Sequence, residues 1–212
     1  MAHMASLMPS RPPLSSLFFG GGTPSLMPPV LVERLIRHAE DLFGFTGDIE
    51  ITAEANPTSV EAEAMLGFRK AGVNRVSMGV QSLDDASLRF LGREHSAADA
   101  LQALDKVSKA FDRVSIDLIY ALPDQSPIAW QAMLGQALSL GLGHLSLYQL
   151  TIEAGTRFGD LYERGNLKGM PNDGLAADMY DVTQELTLQH EMPAYEISNP
   201  VSYTHLTLPT KA

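Results

Sequence analysis

Along the middle of the chain, short apolar runs of strand length alternate with stretches whose apolar residues recur at helical spacing. Residues 14–19 are an apolar run ending in Gly20-Gly-Gly-Thr-Pro24, which predicts a strand feeding a glycine loop. Pro28 and Pro29 then open a helix. Val32, Leu35, Ile36, Ala39, Leu42 and Phe43 keep helical spacing, and Gly44 ends it. In residues 48–55, Ile49, Ile51, Ala53 and Ala55 alternate with Glu50, Thr52 and Glu54, the period of a strand. Asn56-Pro57 breaks that strand. Thr58 and Glu61 have the capping-box spacing that starts a helix, and Gly72 stops it. Residues 75–81 alternate Val76, Met78 and Val80 with Ser77, Gly79 and Gln81. A short helix to Leu91 and a longer one, capped by Ser96 and reaching about Phe111, follow. Residues 113–122 form a strand with Asp117 inside an apolar stretch. Ser126 and Pro127 start a helix that Gly141 and Gly143 end. Residues 144–151 are the last clear strand of the series, residues 173–190 a helix and residues 195–198 a short strand.

This order predicts an α/β fold built from βαβ units on a parallel sheet, either an open partial barrel or a doubly wound sheet. A parallel strand covered by helices on both faces is apolar on both. Here one face is polar or small on three strands: Glu50/Thr52/Glu54, Ser77/Gly79/Gln81 and Ser115/Asp117. That favours a barrel whose lumen holds a polar ligand.

Composition narrows the function. The chain has 212 residues, 45% of them hydrophobic, enough for a packed core. No uninterrupted apolar run approaches the roughly 20 residues of a membrane span, and no secretory signal opens the sequence. Asp plus Glu number 25 against 15 Lys plus Arg, a net charge of −10, which argues against a nucleic-acid partner. There is no cysteine, so this chain supplies no disulfide, thiolate nucleophile or thiolate ligand. His3, His38 and His190 lie in separate regions, so no metal spacing and no serine–histidine–acid set emerges.

In parallel β/α folds ligands bind beyond the C-terminal ends of the strands. Gly20 to Thr23, Glu54, Gln81, Gln149 and Thr151 fall at such ends, with Asp117 mid-strand. The glycine run lets backbone N–H groups approach an anion or an amino-acid group, or else serves as a tight turn. It lacks the spacing of the P-loop and dinucleotide fingerprints. Glu54 either holds a cationic amine or ribose hydroxyls, or pairs in the lumen with Arg75 or Arg93. Gln81 either orients a polar ligand or fills a network. Arg93 and His95 read as solvated loop, Tyr120 and Tyr148 as lumen packing, and His144 as structural.

Six runs carry a resemblance: Leu17-Phe-Phe-Gly-Gly-Gly-Thr-Pro-Ser25, Glu54-Ala-Asn-Pro57, Gly72-Val-Asn-Arg-Val-Ser-Met-Gly-Val-Gln81, Leu91-Gly-Arg-Glu-His95, Asp117-Leu-Ile-Tyr-Ala-Leu-Pro123 and Tyr195-Glu-Ile-Ser-Asn199. Together they resemble the oxygen-independent coproporphyrinogen III oxidase family of radical SAM proteins. Tyr148-Gln-Leu-Thr-Ile-Glu-Ala-Gly-Thr156 and the Tyr-Glu-Ile-Ser-Asn run are similar to its HemW-type haem chaperone branch. The resemblance implies a radical SAM partial (β/α)6 barrel lacking its first strand and cluster loop. It implies S-adenosylmethionine contacts at Gly21, Gly22, Thr23, Glu54, Gln81, Arg93, Asp117 and Thr151, overruling the loop reading of Arg93.

The family's Cys-x-x-x-Cys-x-x-Cys loop, which holds a 4Fe–4S cluster, has no counterpart among these residues. Nor has its later haem-linked segment. The resemblance therefore implies an internal fragment of a longer cytoplasmic protein that handles haem or porphyrin and passes it to an acceptor protein, or that decarboxylates coproporphyrinogen III. Its expected organisation is a remnant helix or tag over residues 1–13, the radical SAM core over 14–199 and a non-native tail over 200–212. Residues 203–208 as a native strand are the alternative for that tail.

Overall fold

The structure, a computed structural model, describes residue 10 and residues 12–202. Strand β1 (Leu14–Phe19) runs through the glycine loop and a 3-10 turn (Pro24–Leu26) into helix α1 (Pro29–Phe43). Strand β2 (Phe45–Ala55) and helix α2 (Ser59–Ala71) follow, then strand β3 (Arg75–Gln81) and helices α3 (Asp85–Phe90) and α4 (Ala97–Ser108). Strand β4 (Arg113–Tyr120), helix α5 (Pro127–Leu138) and strand β5 (His144–Gln149) complete the series. Helices α6 (Arg157–Glu163) and α7 (Asp173–Gln189) precede two short antiparallel strands, β6 (Ala194–Glu196) and β7 (Asn199–Pro200). The main sheet is parallel with the order β1-β2-β3-β4-β5, as expected of right-handed βαβ units.

By compactness the chain divides into two units, Met1–Val80 with Ala98–Ser115, and Gln81–Ala97 with Ile116–Ala212. In the first, α1 buries Val32, Ile36 and Ala39, and α2 buries Ala62, Met65 and Phe68. Ile51, Ala53, Ala55, Val76 and Met78 bury the corresponding sides of β2 and β3. Each fully buried Met or Phe contributes about 1.5–3 kcal/mol. The two helices approach closely because Gly67 has no Cβ: one built there would lie 2.6 Å from the Pro29 ring. Thr58 caps α2, its hydroxyl accepting from the Glu61 N–H at 3.2 Å.

In the second unit the core gathers Leu118 and Tyr120 of β4, Trp130 and Leu134 of α5, Leu145 of β5 and Met179 of α7. The Trp130 indole N–H donates to the Thr183 hydroxyl at 2.8 Å, which in turn donates to the Met179 carbonyl at 2.8 Å. A fully buried Trp thus leaves no polar atom unpaired. Tyr120 stacks on Trp130 with centroids 5.1 Å apart, so it packs against α5 rather than in the lumen as expected. Burial, then the neighbouring Tyr180, raises its pKa and keeps it a neutral phenol. Tyr148, also expected to pack in the lumen, is 46% exposed.

Several boundaries move. Strand β2 begins at Phe45, where Leu14 pairs with it across an irregularity. Helix α4 begins at Ala97, directly after Ser96 as expected, with the Ala97 N–H donating to the Asp85 carboxylate at 2.8 Å, but it ends at Ser108 rather than near Phe111. Helix α6 lies where no element was expected. The Thr156 hydroxyl accepts from the Gly159 N–H at 3.1 Å, and Phe158 stacks on Phe90 at 4.9 Å. Of the expected tail, residues 200–202 are described. Pro200 is in β7, Val201 is 5% exposed and bridges His144, and the Ser202 N–H donates to the Gly143 carbonyl at 3.1 Å. Residues 203–212, and 1–9 and 11 at the other end, lie outside the described residues. Among the described residues no helix is long and apolar enough to cross a membrane.

Candidate functional site

Parallel pairing puts register partners on one face, so the polar face of β2 can be followed from its start to its end. Near the start stands Glu50. Its carboxylate accepts from Arg75 at 3.1 Å, from Thr52 at 3.0 Å, and from Arg113. Arg75 also donates to the Ser115 hydroxyl at 3.1 Å, and Ser115 donates to Ser77 at 3.1 Å. Thr52 and Ser115 are buried to 1% and 0% exposure. Burial alone would raise the Glu50 pKa, but the Arg75 and Arg113 charges, aided by the Thr52 hydrogen bond, hold it below the usual carboxylate value. Glu50, one of the polar positions that favoured a lumen, is thus engaged by the protein itself. At its base, the polar residues satisfy one another.

Four residues further on, Glu54 is in different company. Its Oε2 accepts from the Gly21 N–H at 3.0 Å, and Arg75 is engaged with Glu50 instead. The carboxylate is half-buried, at the end of β2 and beside the glycine loop that ends β1. Gly21 and Gly22 have φ of 79° and 63°, left-handed conformations that favour glycine, and no atom lies within 4 Å of where their Cβ atoms would be. Their backbone is therefore open to an approaching ligand. At Gly20 the constraint is steric: a Cβ would lie 2.4 Å from the Phe18 ring and 3.1 Å from the Glu54 carboxyl carbon.

Glu61 ties this corner together. It accepts from the Ser25 hydroxyl at 2.5 Å, from the Asn56 N–H at 2.7 Å and from the Asn56 amide at 2.9 Å. The chain after the glycine loop and the chain after Glu54 are thereby anchored to the same carboxylate. Sequence reading saw only the capping spacing of Glu61. The Asn56-Pro57 turn just after a strand end was the available signal.

The second unit carries Gln81, Arg93, Asp117 and Thr151. Gln81, at the end of β3, has φ of 69°. A left-handed non-glycine residue costs of order 1–3 kcal/mol and clusters at functional sites. Ala121, just past β4, shares the feature with φ of 59°. Asp117 and Arg93 are half-buried, and the Arg93 N–H donates to the Leu88 carbonyl at 2.9 Å. Thr151 is exposed, with its hydroxyl turned to the Gln149 carbonyl at 3.4 Å. A cleft of about 600 Å3 in this unit is lined by Asp84, Ser87, Phe90, Leu122, Asp124 and Met133. Asp84 is occupied as the α3 cap, and the Ser87 N–H holds its pKa low despite some burial.

The family model of the radical SAM superfamily matches residues 3–136. The chain belongs to the radical SAM superfamily. It is 43% identical over 187 residues to the mouse (Mus musculus) radical S-adenosyl methionine domain-containing protein 1, mitochondrial, covering 88% of this chain and 42% of that protein. It is 38% identical to the heme chaperone HemW of Synechocystis, covering 88% of this chain and 45% of that one. Among solved structures, the radical SAM enzyme coproporphyrinogen III oxidase (HemN) of Escherichia coli superposes with a TM-score of 0.77 at 26% identity, over 94% of this chain and 46% of that chain. The superposition places the fold in the radical SAM partial-barrel class. This radical SAM chain spans less than half the length of these relatives.

The radical SAM cofactors fit these residues unequally. A 4Fe–4S cluster needs thiolates, and the 212 residues include no cysteine. Among the described residues no group of three or more His, Asp or Glu stands in its place. S-adenosylmethionine fits better. Its ammonium suits an accessible carboxylate, and its amino-acid end suits an open glycine backbone, both of which Gly21, Gly22 and Glu54 offer.

Proposed function

We propose that this chain is the S-adenosylmethionine-binding core of a longer haem-handling radical SAM protein of the heme chaperone kind. The observation that carries the reading is the junction of Gly21 with Glu54, an open glycine loop latched to a half-buried carboxylate at adjacent parallel strand ends. The Glu54 carboxylate accepts from the cofactor ammonium, and Gly21, Gly22 and Thr23 line its amino-acid end. Gln81, Arg93, Asp117 and Thr151 supply further polar contacts, and the left-handed Gln81 is consistent with a side chain aimed for a purpose. When bound, the cofactor supplies radical chemistry. The cluster and haem belong to residues other than these 212.

Identity to proteins named heme chaperone supports haem as the cargo; an acceptor protein is the partner that a chaperone role would require. The acidic charge speaks against nucleic acid. A cytoplasmic location goes with this reading as part of the proposal, whereas the mouse relative carries a mitochondrial name. A second reading, oxidative decarboxylation of coproporphyrinogen III, draws on the superposition over 94% of the chain. The test is the whole protein, titrated with S-adenosylmethionine and haem and assayed for protoporphyrinogen IX. Binding of both without product supports the chaperone reading. Product formation replaces it with the oxidase reading, and absence of S-adenosylmethionine binding overturns both.

A further inference from the structure

One residue at this corner has no role in the reading above. Phe18 is 57% exposed, although it lies in the interior of β1 and a phenylalanine there is ordinarily packed. It pairs in register with Thr52, so its ring shares the face of β2 that carries Glu50, Thr52 and Glu54. The ring and the Glu54 carboxyl group converge on the same bare Cα, that of Gly20, from 2.4 Å and 3.1 Å of the missing Cβ. An exposed aromatic face and a carboxylate thus stand side by side at the mouth of the polar face.

This pairing recognises a particular chemistry. A carboxylate alone accepts an ammonium group. An aromatic ring alone offers an apolar wall, but its face also attracts a cation that hydrogen bonds cannot solvate. A sulfonium is such a cation: it carries full charge and has no N–H or O–H to donate. A ligand with an ammonium and a sulfonium a few bonds apart would satisfy both groups at once.

We propose that Phe18 is a specificity residue whose ring faces the sulfonium of S-adenosylmethionine and lets the site prefer the charged cofactor over a neutral thioether analogue of the same shape. The proposal rests on the reading that Gly21 and Glu54 hold the amino-acid end. Gly20 is the device that makes it possible, since any side chain there would push the ring from the carboxylate.

The test is calorimetric titration of S-adenosylmethionine and S-adenosylhomocysteine into the whole protein as wild type, Phe18→Leu and Phe18→Tyr. Phe18 is exposed in this chain, and the unfolding midpoint of each variant of the whole protein, measured alongside, separates lost folding from lost binding. Phe18→Leu is expected to weaken S-adenosylmethionine binding about two- to thirtyfold while leaving S-adenosylhomocysteine within about twofold. Phe18→Tyr, which keeps the ring, is expected to retain the wild-type preference. Equal weakening of both ligands by Phe18→Leu, or weakening of neither, overturns the inference while the parent reading stands. A wild-type protein that binds neither ligand overturns both together.

Discussion

Glu50 and Glu54 lie on the same face of the same strand and belong to the same residue type, yet their surroundings separate them. Glu50 is enclosed by Arg75, Arg113 and Thr52, and its charge is spent on holding the strands' base. Glu54 accepts one backbone N–H from Gly21 and keeps capacity for a ligand. The difference lies in what the neighbouring strands present. Register puts Arg75 opposite Thr52, two residues nearer the strand start than Ser77, which stands opposite Glu54. A carboxylate at a strand end meets a loop, whereas one further back meets a cation.

The contrast can be broken most forcefully at the base. Arg75→Met removes a cation whose side chain is only 12% exposed and leaves Glu50 with its burial penalty half uncompensated. Destabilisation by about 2–4 kcal/mol is expected in chemical denaturation. A loss below about 0.5 kcal/mol would show the network to be incidental.

A smaller effect is expected at the mouth. Gly20→Ala forces the Phe18 ring or the Glu54 carboxyl group aside. Because the ring is exposed it can swing away, so stability should fall by only about 1 kcal/mol while S-adenosylmethionine binding weakens about five- to tenfold. Unchanged binding would separate Gly20 from the site.

The smallest effect is in pH dependence. The folded-state pKa of Glu50 lies below its ordinary value of 4.5. A lowered carboxylate contributes stability above the unfolded value and loses it as pH falls through the folded one. The stability difference between wild type and Glu50→Gln should therefore shrink as pH drops below about 4.5. A difference for Glu50→Gln that does not change across this range would contradict the ion-paired role of Glu50.

Much of the fold was legible because its signals are local. Alternation in β2, the Thr58 cap and the Gly44 and Gly72 stops depend on neighbours within a few residues. Helix α6 was missed because only its Thr156 cap and seven residues announce it, and its anchor is the distant Phe90. The site was half legible. Position at strand ends singled out Glu54 and Gln81, but the alternative that Glu54 pairs with Arg75 could not be decided without register. Phe18 passed unnoticed because an apolar residue in an apolar run gives no hint of exposure. Its parity with Ser16, on the face of Glu50 and Thr52, was the one available signal.

The most direct measurement is calorimetric titration of S-adenosylmethionine into the whole protein carrying Glu54→Gln, with Glu50→Gln alongside. Losing the charge at Glu54 should weaken binding about five- to a hundredfold, the scale of one unpaired polar group, with stability unchanged within about 0.5 kcal/mol. Glu50→Gln should lower stability and leave the affinity of the folded protein as it was. The reverse result, with Glu54→Gln unfolding the protein and Glu50→Gln abolishing binding, would contradict the division between a structural base and a ligand-binding mouth.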